Sequence, residues 1–264
     1  MSLHPIALFT SLRTGLRLGL ASGIAGLILT AAASASAAQI TIDDFGQPSP
    51  QTFYVIAAIN ADPLLHKTAH PSILGGERDM LVDVIGNASL TTAAGTIGDG
   101  TLDFGSSGPV VVGLQYDGLD ADQLLPTRAL VDGQGLSVDL TDAGANNAFR
   151  LDFDSVDGGP PSTPLSYSIT LTSPLAGVAV LSGSLAETAT AQTYLLPFAA
   201  FTPSVNFSFA NVSSITLVLN GGATQPDADF KVSLFAAVPE PHSVMLLAMG
   251  GVAVVLAARK RIRS

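Results

Sequence analysis

Ala148-Phe149-Arg150-Leu151-Asp152-Phe153-Asp154 alternates without a break. In an extended chain successive Cβ atoms point to opposite faces, so Phe149, Leu151 and Phe153 share one side and Arg150, Asp152 and Asp154 the other. A helix would scatter both sets around its circumference. The segment reads as a strand with an aromatic inner face and a solvated outer face carrying an Arg–Asp pair. The alternative for that outer face is one wall of a binding groove.

Working outward, period-two segments recur at 40–42, 51–59, 79–85, 110–116, 136–140, 165–172, 178–183, 215–220 and 230–235. In 79–85 Met80, Val82 and Val84 fall on one face. Between the segments stand Gly75-Gly76, Gly98-Asp99-Gly100, Asp117-Gly118, Asp132-Gly133, Gly158-Gly159-Pro160-Pro161 and Gly221-Gly222. No dozen-residue window between 39 and 238 has helical periodicity. Short strands divided by polar turns predict an all-β fold, a β-sandwich or jelly roll of about 200 residues. No internal repeat or linker divides it, so 39–237 reads as one ectodomain.

The composition supports a packed core. Of 264 residues, 47% are hydrophobic and 12% charged, about half the usual charged share of roughly 25%. The absence of Cys excludes a disulfide framework, a thiolate metal site and a cysteine nucleophile. From Gln39 to Val238 there are 20 acids and five bases: Lys67, Arg78, Arg128, Arg150 and Lys231. So acidic a body repels phosphate backbones, which excludes nucleic acid as a partner. Eighteen of those acids are Asp, a residue suited to turns, strand edges and hard-cation ligation.

The two ends differ from the body. Residues 1–38 read as a secretory signal peptide. Arg13 and Arg17 precede the apolar run 18–33, and Ala35-Ser36-Ala37 fits a small-x-small cleavage site. Signal peptidase is expected to cut after Ala37 or Ala38. Residues 238–264 open with Val238-Pro239-Glu240-Pro241-His242 and continue into an apolar run, 243–258. That run has 16 residues, about 24 Å of helix and close to the minimum for a ~30 Å hydrocarbon core. Arg259, Lys260, Arg261 and Arg263 follow, a basic tail that stays cytoplasmic. The expected topology is an exported body with one C-terminal transmembrane helix, first as an inner-membrane-anchored precursor and then at the cell envelope, surface or outside.

Val-Pro-Glu-Pro, a short apolar helix and an Arg-rich tail together resemble the PEP-CTERM sorting signal of Gram-negative bacteria. The resemblance implies recognition by exosortase, a membrane-embedded cysteine transpeptidase, with Pro239, Glu240 and Pro241 as the recognition element. Two prolines also make this stretch extended and open to a protease. More loosely, the order Ile42-Asp43-Asp44-Phe45, Gly75-Gly76-Glu77-Arg78-Asp79, Tyr116-Asp117-Gly118, Val138-Asp139-Leu140-Thr141 and the Phe149–Asp154 alternation resembles PEP-CTERM ectodomains. Their shape is similar to galactose-binding-like jelly rolls, the fold of many carbohydrate-binding modules. Such modules stack sugars on aromatics, above all Trp, and this chain has none; its tyrosines are Tyr54, Tyr116, Tyr167 and Tyr194.

Catalytic motifs are lacking. Gly105-Ser106-Ser107-Gly108 is one residue short of a nucleophile elbow and reads as a turn. His66 and His70, bracketed by Pro63 and Pro71, read as a loop pair rather than zinc ligands on a helix. Calcium is the one cofactor the sequence offers. Asp117, Asp120 and Asp122 form one carboxylate cluster, and Asp152, Asp154 and Asp157 another, neither with an EF-hand spacing. Turn chemistry and solubility account for the same residues. Three functions follow in order. The first is a non-enzymatic exported surface or extracellular-matrix protein, with extracellular polysaccharide as its setting. The second is a carbohydrate-binding module, and the third an extracellular hydrolase, which needs two acids facing across a cleft of roughly 5–10 Å.

Overall fold

The computed structural model describes residues 38–57, 63–85, 91–119, 135–159, 163–219 and 227–240. The expected signal peptide up to residue 37, the apolar C-terminal run and the basic tail lie outside these residues. Among the described residues no helix is long and apolar enough to cross a membrane.

Among the described residues fourteen strands follow one another: β1 (Ile40–Asp43), β2 (Gln51–Ala57), β3 (Leu64–Ala69), β4 (Glu77–Val84), β5 (Thr91–Gly98), β6 (Thr101–Ser106), β7 (Val110–Tyr116), β8 (Ala148–Asp157), β9 (Leu165–Thr172), β10 (Val178–Leu185), β11 (Gln192–Pro197), β12 (Thr202–Pro203), β13 (Ser214–Leu219) and β14 (Asp229–Val238). They form two antiparallel sheets. The first runs β11-β8-β14-β6-β5-β2, with β1 also on β14; the second runs β12-β10-β9-β13-β7-β4-β3. This is the sandwich expected from the alternation. Phe149 and Leu151 are fully buried and Phe153 almost so, while Arg150 and Asp152 form an outer-face ion pair at 2.7 Å.

β14 organises the first sheet. One edge pairs with β8 along its whole length. The other is shared, with β6 opposite Asp229–Val232 and β1 opposite Phe235–Ala237. The chain's first strand therefore lies antiparallel to its last, Ile40 opposite Ala237. The inner face of the first sheet is aromatic, with Phe104 stacked on Phe230 at 5.0 Å and Phe149 packed against Phe198 at 5.0 Å and Phe235 at 5.3 Å, and Tyr116 of the second sheet meets Phe235 at 6.0 Å.

Several elements depart from expectation, and β11 and β12 lie outside the expected strands as well. His66 is not in a loop, because residues 64–69 pair with β4 from Leu64–Val82 to Ala69–Glu77, whereas His70 follows the strand end in irregular chain as expected. Pro63 and Pro71 lie outside the strand and deny it no ladder hydrogen bond. The 136–140 segment contributes only an isolated bridge, Val138 to Val212, and is not a strand. β5 was not expected because Thr, Ala and Gly fill it up to Ile97, and β6 because its alternation is only two residues long, Leu102 and Phe104. Their turn was visible: Asp99 and Gly100 both have positive φ, 51° and 85°, as a two-residue type I′ hairpin requires. Gly95 on β5 accommodates Phe53, whose ring lies 2.3 Å from where a Cβ would stand.

Candidate functional site

The sequence landmarks at 42–45, 75–79 and 116–118 converge although up to about seventy residues separate them. Asp43, on β1 of the first sheet, faces β4 and β7 of the second. Arg78 Nη1 donates to Asp43 Oδ2 at 2.5 Å, Tyr116 OH donates to the same oxygen at 3.1 Å, and Phe45 N–H donates to Oδ1 at 2.7 Å. The Arg78 guanidinium also lies 5.6 Å from the Phe45 ring centroid. At Gly75 an added Cβ would come within 2.9 Å of the Gly118 backbone, so the two turns meet only as glycines.

All three ionisable groups are buried, Asp43 and Tyr116 at 0% and Arg78 at 1% exposure. Burial pushes the Asp43 carboxyl up, opposed by the Arg78 charge and the hydrogen bonds it accepts. Burial, then the Asp43 charge, pushes the Tyr116 phenol well up. Burial also lowers His66, helped by Arg78. The cluster is closed to solvent and joins the sheets. Its geometry is that of an inter-sheet tie, not of an open reaction centre. Reading the residues singly missed it; the order of the landmarks was the available signal.

The calcium candidates are distributed differently. Asp120 and Asp122 lie outside the described residues. Asp117 is buried and accepts from Gln115 Nε2 at 2.8 Å. Asp152 takes Arg150 and the Thr193 hydroxyl, Asp154 takes the Ser233 hydroxyl, and Asp157 takes the Gly159 N–H. These three are spread along β8 with separate partners. Among the described residues no group of three His, Asp or Glu side chains gathers as a metal site. Another acidic group forms where the start of β14 pairs with the end of β8, Asp229 opposite Asp157. Partial burial raises the Asp229 carboxyl, as do the charges of Asp157, Asp227 and Asp103.

The tyrosines do not form a platform. Tyr116 and Tyr167 are buried. Tyr194 meets Phe153 edge-on and donates to the Ala186 carbonyl. Tyr54, on edge strand β2, stands 61% exposed. The outer face of the second sheet instead carries a register row of Lys67, Asp79, Gln115, Thr216, Thr170 and Val180. Asp79 and Gln115 are buried there, whereas Thr216 and Thr170 are partly open.

The sorting residues stand at the end of β14. Val238 is the last ladder residue, opposite Ala148, and its carbonyl accepts from Asn147 N–H at 3.1 Å. Pro239 and Glu240 follow, both partly buried. The Glu240 N–H donates to Asn147 Oδ1 at 2.6 Å. The start of the motif is thus held on the body rather than freely extended. Pro241, Ala37, Arg259, Lys260, Arg261 and Arg263 lie outside the described residues. Ala38 is described and sits at the same end: its N–H donates to Asp142 Oδ2 at 3.3 Å and its carbonyl accepts from Asn146 Nδ2 at 3.1 Å.

No curated protein matches the chain. Among solved structures, the family 11 carbohydrate-binding module of the cellulosomal cellulase Lic26A-Cel5E of Clostridium thermocellum is 12% identical, with 78% of this chain and 97% of that one covered at a TM-score of 0.35. A family 30 carbohydrate-binding module is 11% identical, over 77% and 99% of the two chains, with a TM-score of 0.35. The agarase AgWH50C is 10% identical over 77% of this chain and 25% of that one, at 0.40. Likenesses this distant transfer no residue role. Residues 237–261 match the model of the PEP-CTERM protein-sorting motif, so the chain is an exported protein carrying an exosortase sorting signal.

Proposed function

We propose that the protein is a non-enzymatic component of the cell surface or extracellular matrix, delivered through its sorting motif by exosortase. The observation that carries this reading is the motif at 237–261, continuous with the last core strand of the sandwich. The motif brings the body to the envelope, and the buried tie of Asp43, Arg78 and Tyr116 gives that body a structural rather than a catalytic centre. Replacing Pro239-Glu240-Pro241 by three alanines should leave the protein unprocessed in the inner membrane. Fractionation and immunoblotting read the result, and release of the variant equal to wild type sinks the proposal.

A second reading is a polysaccharide-binding module on the same sandwich. The partly open Thr170 and Thr216, adjacent in one row of the second sheet, favour it as hydroxyl partners for a glycan chain. Glycan-array binding by the exported protein tests it. Binding lost in a Thr170→Ala/Thr216→Ala variant supports the module; binding unchanged in that variant, or no glycan bound, leaves the first reading alone.

A further inference from the structure

The two ends expected to be processed lie side by side, and consecutive residues hold them. β1 and β14 are antiparallel neighbours, so Ala38 and Pro239 emerge at one end of the sandwich. Asn146, only 2% exposed, donates its side-chain amide to the Ala38 carbonyl. Asn147 accepts the Glu240 N–H at 2.6 Å. Asn147 is itself fixed on both sides, its N–H on the Val238 carbonyl and its own carbonyl on the Phe198 N–H.

The chemistry of the motif makes the second contact consequential. Proline has no backbone N–H. In Pro239-Glu240-Pro241 the Glu240 amide is therefore the only main-chain donor. An enzyme that grips an extended peptide does so largely through main-chain hydrogen bonds, as in strand addition to a sheet edge. The one donor the motif can offer is already spent on Asn147. The residues directly before it are engaged too, because β14 is paired on both edges at Phe235–Ala237 and with β8 through Val238.

We propose that Asn147 is a latch that holds the sorting motif closed against the folded body, so that engagement by the sorting enzyme requires the Glu240 amide to leave Asn147 first. Asn147 is thus a positioning residue that sets the fraction of chains ready for sorting. The inference rests on the sorting reading above. It adds that the folded body, and not the tail alone, sets the rate.

Pulse-chase labelling of the full chain in its own exosortase-bearing host tests the latch. Asn147→Ala should speed conversion of precursor to processed form by about fivefold, the population change expected from the net worth of one lost hydrogen bond. Asn147→Asp keeps the acceptor oxygen and should process no faster than wild type. Deuterium exchange of the full chain in detergent gives an independent reading: the Glu240 amide should be protected in wild type and in Asn147→Asp, and lose protection in Asn147→Ala. Intact melting of Asn147→Ala shows that faster processing does not come from an unfolded body. If this variant melts early, the exchange of Glu240 in Asn147→Asp and wild type decides, and an unprotected amide in both overturns the latch. So does processing of Asn147→Ala at or below the wild-type rate. The alanine triplet at 239–241 separates the two ideas. Blocked processing there with unchanged Asn147→Ala kinetics removes the latch alone, whereas normal processing of the triplet removes the sorting reading and the latch with it.

Discussion

Two Arg–Asp pairs in this molecule have nearly the same geometry and opposite surroundings. Arg78 and Asp43 meet at 2.5 Å with side-chain exposures of 1% and 0%. Arg150 and Asp152 meet at 2.7 Å with exposures of 38% and 19%. The buried pair ties one sheet to the other, with Tyr116 and the Phe45 N–H completing the carboxylate's partners. The exposed pair links two residues of one strand two positions apart. Distance does not decide what an ion pair contributes; the solvent that either partner regains when the pair is broken does.

Breaking the buried pair should have the largest effect. Arg78→Met leaves the Asp43 carboxylate buried without its cation, which costs about 3–5 kcal/mol. Chemical denaturation of the exported protein should show this loss, little changed by salt. The double variant Arg78→Met/Asp43→Leu should regain only part of it, since removing both charges ends the burial of an unpaired carboxylate but leaves the buried Tyr116 hydroxyl and Phe45 N–H without their acceptor. A loss below about 1 kcal/mol for the single variant, typical of exposed pairs, would erase the contrast.

Arg150→Ala should cost at most about 1 kcal/mol, because water replaces the guanidinium on Asp152 and the Thr193 hydroxyl remains. The difference from wild type should shrink in 1 M NaCl, where the screening length falls to about 3 Å. A salt-insensitive loss as large as that at Arg78 would mean that the outer face of β8 is covered in the native protein.

The smallest effect sharpens the comparison for a lone carboxylate. Asp229 is raised from its ordinary 3.8 by partial burial and by Asp157, Asp227 and Asp103. A raised folded value means that the folded state binds the proton better than the unfolded one. The associated stability is present below 3.8 and is lost as pH rises through the raised value. Asp229→Asn stays neutral, so it should match wild type near pH 3 and melt higher at pH 7. A melting difference that does not change with pH would show that the acidic neighbours exert no strain there.

Much of this was legible in the residues. Phe149, Leu151 and Phe153 announced their burial because a period-two pattern of large side chains has one physical solution, a strand against a core. The tail was legible for a different reason: a sorting signal is read as a linear string by other machinery, so it must be explicit in sequence. β5 was not legible, since a strand of mainly Ala, Gly and Thr carries little hydrophobic contrast and acquires its identity from the neighbours it pairs with, and in β6 the alternation of Leu102 and Phe104 is too short to stand out. The same holds for 64–69, whose His and Lys form a strand because β4 supplies a partner edge.

By itself the sequence determined the all-β class, the inner and outer faces of its strongly alternating strands and the identity of the sorting signal, since each depends on residues near one another in the chain. Only the tertiary structure decided that Arg78 meets Asp43 and that this pair is dry. It alone brought Ala38 beside Pro239 and set Asn147 on the Glu240 amide. The buried pair joins residues 35 positions apart and the β1–β14 pairing sets Ile40 opposite Ala237, 197 positions away, and sheet pairing, not local pattern, selects among the partners a chain of this length offers.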